Sequence, residues 1–329
     1  MKLDERTLVW LSLQLKPDRV PAGGVRAAVV DTGSRCGLRC PFCATGNGSL
    51  ALDRGLLSPR RFDAILDRLP RLRDLTLYQW GEPLLNFGLC RMIAAAARRG
   101  VSTTVSTHLS LASFDEAAAR RLVRSGLTRL IVSCDGASQR SYGQYRVGGE
   151  LRLVRRNLRR LLAAKKDLGS ALPRIDWQFL VHRGNQHELE QAARQARRLG
   201  VGIVFEKLAI PLESRGRWSP DPRLLRRIPV DRRVSPRRTW GRRADKWPTL
   251  CLQAWSAPVI RPDGTVLPCC VVSSARYGLG DIFREPIGRL WNKPLIKAMR
   301  RYLKAGTRSG LDLPCYDCPH DPNAPDRGQ

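Results

Sequence analysis

The sequence predicts an α/β fold built on a parallel sheet, followed by a smaller cysteine-rich unit. Three observations predict it. Six short apolar runs alternate with amphipathic stretches between residues 25 and 211. Glycines close several of those amphipathic stretches, and capping residues open others. From residue 248 the composition turns to cysteine, glycine and short apolar runs. A chain of 329 residues has room for both units.

The elements follow in order. Residues 25–33, VRAAVVDTG, read as a buried strand. Residues 58–72 read as an amphipathic helix with Ser58 as N-cap. DLTLYQW, 74–80, is a second strand, and 85–100 a helix ended by Gly100. VSTTVSTHL, 101–109, is a third strand, and 113–126 a helix capped at Ser113 or nearby. RLIVSCDG, 129–136, is a fourth strand, and 151–169 a long helix. RIDWQFLVHRG, 174–184, is a fifth strand, 186–200 a helix, and VGIVFEKLAI, 201–210, a sixth strand. Six such units suggest an open barrel or a doubly wound sheet, and either places the active site at the C-terminal strand ends. Residues 1–24 form an N-terminal extension. Residues 212–247 carry twelve Lys+Arg against four Asp+Glu with four prolines, which reads as a basic, solvated linker. Beyond it, VIRPDGTVLPCC, 259–270, reads as a hairpin turning at Asp263-Gly264, and 287–306 as one helix.

No apolar run reaches membrane-spanning length, and the N-terminus lacks a secretory signal, so a cytoplasmic location is expected. In that reducing compartment the ten cysteines point to metal or catalysis rather than disulfides. The net charge of +29 attracts anions, which include nucleic acid and phosphorylated substrates. No aromatic RNA-binding signature accompanies it, so nucleic acid is not expected as the partner. The competing class, a nucleic-acid-binding protein with structural zinc, predicts colourless protein with stoichiometric zinc.

Cys36, Cys40 and Cys43 lie within eight positions, in RCGLRCPFCATG. Soft thiolates select zinc, copper(I) or iron–sulfur clusters. Structural zinc closes with four ligands, and this loop offers three with no histidine. Three cysteines on a four-iron cluster leave one iron open. Cys251, Cys269, Cys315 and Cys318 bring four thiolates from the C-terminal region, enough to close a zinc site or a fully ligated cluster. Cys269 and Cys270 are neighbours, and on a strand only one would face a cluster. The spacing from Gly264 favours Cys269. Cys270 and Cys134 are either buried packing or hydrogen-atom donors to a substrate radical, and Cys90 reads as core. His108, His182, His187 and His320 do not cluster by spacing, and none is expected as a ligand.

The CxxxCxxC spacing with Phe42 resembles the radical S-adenosylmethionine (SAM) superfamily. The resemblance implies a partial (β/α)6 TIM-like barrel over 25–211 and a small cysteine-rich twitch/SPASM domain over 248–329. It implies a [4Fe-4S] cluster that binds SAM at its open iron, and an auxiliary [4Fe-4S] cluster on Cys251, Cys269, Cys315 and Cys318. Gly81, Glu82 and Pro83 resemble the family's loop for the SAM amino group, with Trp80 in place of its first glycine. VSTH resembles its Ser-Thr-Asn-Gly turn, with His108 and Leu109 substituted, and makes Ser106 a candidate for the SAM methionine or ribose. The segment from Ser133 to Arg146 resembles the part that holds the SAM carboxylate. The activity implied is hydrogen abstraction by a 5′-deoxyadenosyl radical. With one auxiliary cluster, the outcome is dehydrogenation or epimerisation of a sugar or aminocyclitol, or modification of a peptide. The short extension before the first strand leaves no room for a leader-binding domain, which lowers the peptide option. The basic chain fits a phosphorylated or nucleotide-linked sugar. An external electron donor such as flavodoxin or ferredoxin is implied.

Overall fold

The computed structural model describes residues 15–21, 24–50, 55–208, 210, 214–225, 251, 253–316 and 318. Residues 226–247 of the basic connector and His320 lie outside the described residues.

Strands β1 (Ala27–Val30), β2 (Asp74–Thr76), β3 (Ser102–Thr107), β4 (Arg129–Ser133), β5 (Arg174–Val181) and β6 (Gly202–Lys207) pair in parallel. Their order is β6-β5-β4-β3-β2-β1. A doubly wound sheet would reverse direction at a switch point. This one does not, so of the two architectures the alternation allowed, the partial barrel is the one adopted. Helices α1 (Pro59–Asp67), α2 (Leu89–Arg98), α3 (Glu116–Arg124), α4 (Gln139–Tyr145), α5 (Leu151–Asp167) and α6 (Leu189–Leu199) lie between the strands. Ser58 caps α1 as expected, accepting from Arg61 N at 3.3 Å. The cap of α3 is Asp115, two residues past Ser113. The short α4 was not foreseen. It carries two buried tyrosines, Tyr142 and Tyr145, in a stretch too short for a clear helical period.

The strands alternate between two faces. Val105, Leu130, Val132, Ile175, Trp177, Phe179 and Phe205 join the core beneath the helices. Between them, Ser106, Ser133, Gln178 and Glu206 point to the other face, the barrel lumen. The lumen therefore mixes this polar row with apolar side chains such as Ile131 and Leu180, while the outer face of the sheet supplies most of the hydrophobic stabilisation.

The C-terminal region continues the same sheet. Strand β7 (Val259–Ile260) pairs in parallel with β1, and β8 (Thr265–Leu267) and β9 (Gly280–Asp281) follow antiparallel. The expected hairpin is present, with Gly264 at φ +97. The expected helix over 287–306 is broken. A turn at Ile287–Leu290 precedes α7 (Pro294–Ala305), because Pro294 has no N–H and starts a new helix. The fully buried Arg300 of α7 donates to the carbonyls of Ala254, Trp291 and Asp18 at 2.7–2.9 Å. Together with Asn292, which exchanges two bonds with the Val20 backbone, it ties residues 18–20 to the C-terminal unit. Part of the basic connector is packed rather than solvated. Residues Arg215–Trp218 form a helical turn whose tryptophan joins the cluster described next. No helix among the described residues is long and apolar enough to cross a membrane.

Candidate active site

The cysteine loop leaves β1 and crosses the C-terminal ends of the strands. Cys36, Cys40 and Cys43 are thiols outside any disulfide. Cys36, Cys40 and Cys43 belong to one apolar cluster with Leu38, Leu180, Leu208 and Ile210. Burial pushes the Cys36 thiol up to about 11, and the charges of Glu82, Cys40 and Cys43 add to it. Cys40 is raised by burial, and Arg146, whose Nη1 lies 3.9 Å from its Sγ, pulls the other way. The three cysteines share one apolar cluster, with Cys40 buried beside a guanidinium and Cys36 and Cys43 half-buried, a setting that suits a cluster whose irons displace the thiol protons. Among the described residues, no three His, Cys, Asp or Glu side chains converge on a single ion.

Phe42 stands in an aromatic group over this loop. Its ring lies 5.2 Å from Trp218 and 6.2 Å from Tyr145, and His182 lies 5.1 Å from Trp218. His182 is fully buried, and burial lowers its imidazole to about 4. The unfolded chain therefore takes up the proton first, near pH 6.5, and the folded chain only near pH 4. Stability should be full above pH 6.5 and fall as the pH drops towards 4. Urea midpoints at pH 7 and pH 5 check this, and His182→Gln should flatten the slope.

The loop after β2 docks directly on the cysteine loop. A Cβ on Gly81 would sit 1.9 Å from the Gly33 carbonyl oxygen, so only glycine fits. Glu82 N donates to Arg35 O at 2.8 Å, and Thr45 Oγ1 donates to Trp80 O. Pro83 begins a short 3-10 turn. The Glu82 side chain departs from expectation. It is buried, and its Oε1 accepts from Thr107 Oγ1 at 2.7 Å and Leu84 N at 3.0 Å. Its Oε2 accepts from His108 N at 2.9 Å, with His108 Nε2 at 3.3 Å. Its carboxylate is therefore engaged by the β3 turn. Leu109 holds φ +53, the one positive value outside glycine among the described residues. Asn157 of α5, fully buried, holds that turn by donating to Leu109 O and Leu111 O.

Ser133 and Arg146 have different partners. Arg146 Nε binds the fully buried Asp135 at 2.5 Å. Ser133 faces the lumen, where its Oγ lies 3.1 Å from Ser106 Oγ and 3.1 Å from Gln178 Oε1. Gln178 Nε2 donates to Glu206 Oε2 at 2.9 Å. The Tyr78 phenol is raised by burial and then by the nearby Glu206 carboxylate. Tyr78, Gln178, Glu206, Asp135 and Trp218 were not singled out from sequence. The detectable signal was polar residues at alternate positions of otherwise apolar strands.

Cys134 lies on the face opposite Ser133. It is buried in the core under α5 and α6, and its thiol is raised by burial. A substrate in the lumen cannot reach it, so of its two readings only packing holds. Cys269 and Cys270 are not on a strand, since β8 ends at Leu267 before Pro268. Facing opposite ways is therefore not imposed on them. Their thiols are hydrogen-bonded, and that bond, followed by burial, raises Cys269. The charge of Cys251 also acts on Cys269. Cys270 is exposed, its carbonyl accepts from Gln79 Nε2, and its thiol lies within electrostatic reach of Tyr78 at the lumen mouth. Cys315 and Cys318 share a turn after α7, with Cys318 N donating to Cys315 O at 3.2 Å. Tyr316 holds that turn against Tyr302 of α7, ring to ring at 5.0 Å.

Residues 30–174 match the radical SAM superfamily, and residues 251–319 match SPASM, an iron–sulfur cluster-binding domain. The chain belongs to the radical SAM superfamily and carries a SPASM domain. Radical SAM membership brings a [4Fe-4S] cluster and SAM, and the SPASM domain brings auxiliary iron–sulfur. Among curated relatives, the chain is similar to the PqqA peptide cyclase of Rhodopseudomonas palustris, 26% identical over 319 residues. That match covers 89% of this chain and 78% of the cyclase. It also resembles a probable dual-specificity RNA methyltransferase RlmN of Streptomyces griseus, 33% identical over 109 residues. The match spans only 27% of the methyltransferase's length and 30% of this chain. Two solved structures share the radical SAM fold. Native anSMEcpe with bound AdoMet has a TM-score of 0.61 at 14% identity, covering 89% of this chain and 86% of that one. Streptococcus suis SuiB bound to S-adenosylmethionine has a TM-score of 0.61 at 12% identity, covering 91% and 71%.

Proposed function

We propose that this radical SAM enzyme dehydrogenates or epimerises a hydroxyl-bearing substrate held in the barrel lumen. The observation that carries the reading is one lumen with the cysteine loop at its β5–β6 end and the Cys269-Cys270 turn beside Tyr78. Cys36, Cys40 and Cys43 hold the SAM-binding cluster, and Cys251, Cys269, Cys315 and Cys318 hold a single auxiliary cluster. When bound, the cluster and SAM supply a 5′-deoxyadenosyl radical that takes a hydrogen atom from a substrate C–H bond. Arg146 keeps positive charge beside Cys40, and the Phe42, Tyr145 and Trp218 rings exclude water from the loop. Ser106 and Ser133 serve SAM, as the resemblance implies, and Gln178 and Glu206 beside them orient substrate hydroxyls. Flavodoxin or ferredoxin serves as electron donor.

Product analysis separates the two outcomes. A ketone product supports dehydrogenation, whereas solvent deuterium at one carbon without oxidation supports epimerisation. In the second case Cys270 is the hydrogen donor. Cys270→Ala should then lower deuterated product by a hundredfold or more, on the order of general losses for a directly acting group, while 5′-deoxyadenosine release persists. A second reading, peptide modification, is favoured by the similarity to the peptide cyclase over 78% of its length. A product retaining a carbon cross-link within a peptide would select it.

A further inference from the structure

The outer helices do not cover the sheet evenly. On one side α5 is tied to α3, with Arg160 Nε on Glu116 at 2.7 Å and Arg120 Nη1 on Asp167 at 3.3 Å. On its other side, Arg155 Nη2 donates to Gln195 Oε1 at 3.1 Å, and among the described residues no other hydrogen bond joins α5 to α6. Beside that bond lies a cavity of about 280 Å³. Val132 and Cys134 at the end of β4 and Trp177 of β5 form its floor, and Val154, Leu158 and Leu199 form its walls. The floor residues face the helices and not the lumen, so SAM and a lumen substrate leave this cavity open.

The rim is basic, with Arg155, Arg159 and Arg198 around it. Arg155 is already committed, since its Nη2 also donates to Ala137 O at 2.6 Å. On the same two helices, Arg152, Arg160 and Arg194 pair with Glu150, Glu116 and Glu190. Arg159 and Arg198 are exposed and meet no carboxylate among the described residues. A slot that is apolar within and cationic at its mouth complements a molecule with a hydrocarbon tail and an anionic head. Its volume equals roughly nine waters, room for about eight to ten carbons.

We propose that the α5–α6 cavity binds a free alkyl monocarboxylate, its tail over Trp177 and Leu158 and its carboxylate on Arg159 and Arg198. A guanidinium gives a carboxylate two parallel N–H bonds, which an alcohol or an amine cannot accept in the same way.

Calorimetric titration of the full-length chain, reconstituted anaerobically with iron–sulfur, tests this with hexanoate, octanoate, decanoate and dodecanoate. Each methylene withdrawn from water should tighten binding about fourfold. The gain should stop at about ten carbons, where the cavity is full. Octanol and octylamine should bind about fivefold more weakly than octanoate, the scale of an exposed ion pair. The double variant Arg159→Gln/Arg198→Gln should lower octanoate to the level of octanol and leave octanol within about twofold. Leu158→Trp fills the slot and should abolish binding; should it fold poorly, the double variant on the exposed rim carries the test. Saturating SAM should leave every affinity unchanged. Equal affinity at all chain lengths, octylamine as tight as octanoate, no decanoate binding at about 1 mM, or competition with SAM overturns the proposal. So does a dimer that Leu158→Trp dissociates in sedimentation, because a second copy then fills the cavity.

Discussion

Cys40→Ala is expected to remove about four irons per chain and to abolish 5′-deoxyadenosine release on reduction. The reason is local. Cys36, Cys40 and Cys43 share one apolar cluster, and no other thiol or imidazole belongs to that cluster of described residues except His182, which contacts its aromatic rings. No neighbour can take over the lost ligand. The auxiliary iron should survive, because Cys251, Cys269, Cys315 and Cys318 lie in the C-terminal unit. Iron analysis and anaerobic nucleoside assay of the variant, with Cys90→Ala as control, check it. Retention of seven to eight irons, roughly the content of two four-iron clusters, would count against the assignment.

Arg261→Met is expected to cost about 3–5 kcal/mol of stability, read as a loss of several degrees in Tm and a lower urea midpoint. Arg261, on the β7–β8 hairpin, is 2% exposed and Asp31, just past β1, is 0% exposed. Arg261 Nη1 meets Asp31 Oδ2 at 3.0 Å, and Nη2 donates to Ser34 Oγ at 2.9 Å. Ser34 Oγ donates in turn to Asp31 Oδ2 at 3.2 Å. Removing the cation leaves an uncompensated buried carboxylate, which is the costly half of breaking such a pair. The double variant Asp31→Asn/Arg261→Met should recover part of the loss, since it removes the stranded charge. The network joins the SPASM hairpin to the loop that carries the first cysteine two residues after Ser34. A single variant with unchanged stability would overturn this account of the pair.

The order of strands and helices was legible because each element repeats its own period within ten to twenty residues. The α1 cap, the β7–β8 turn and the cysteine loop were legible for the same reason. The break at Pro294 was legible in principle, since proline acts on its own helix, but the apolar period on both sides masked it. Glu82 shows where local reading stops. Its position in a family-like loop suggested a ligand for an ammonium group. The fold instead places Thr107 and His108, from the next strand, around both of its oxygens. Cys134 and Ser133 show the same limit by one residue. Adjacent on β4, they face the helices and the lumen respectively, and which is which depends on the side that the helices cover.

The sequence by itself determined the metal chemistry and the β/α plan. Three thiols within eight positions of one turn can meet whatever the rest of the chain does, and the alternation of apolar periods requires a covered parallel sheet. Only the tertiary structure decided what the lumen presents and what joins the two cysteine-bearing units. Ser106, Ser133, Gln178 and Glu206 are separated by tens of residues, and Asp31 and Arg261 by 230. Their contacts exist only once strand register and the β1–β7 pairing are set, and no local period encodes a neighbour that distant.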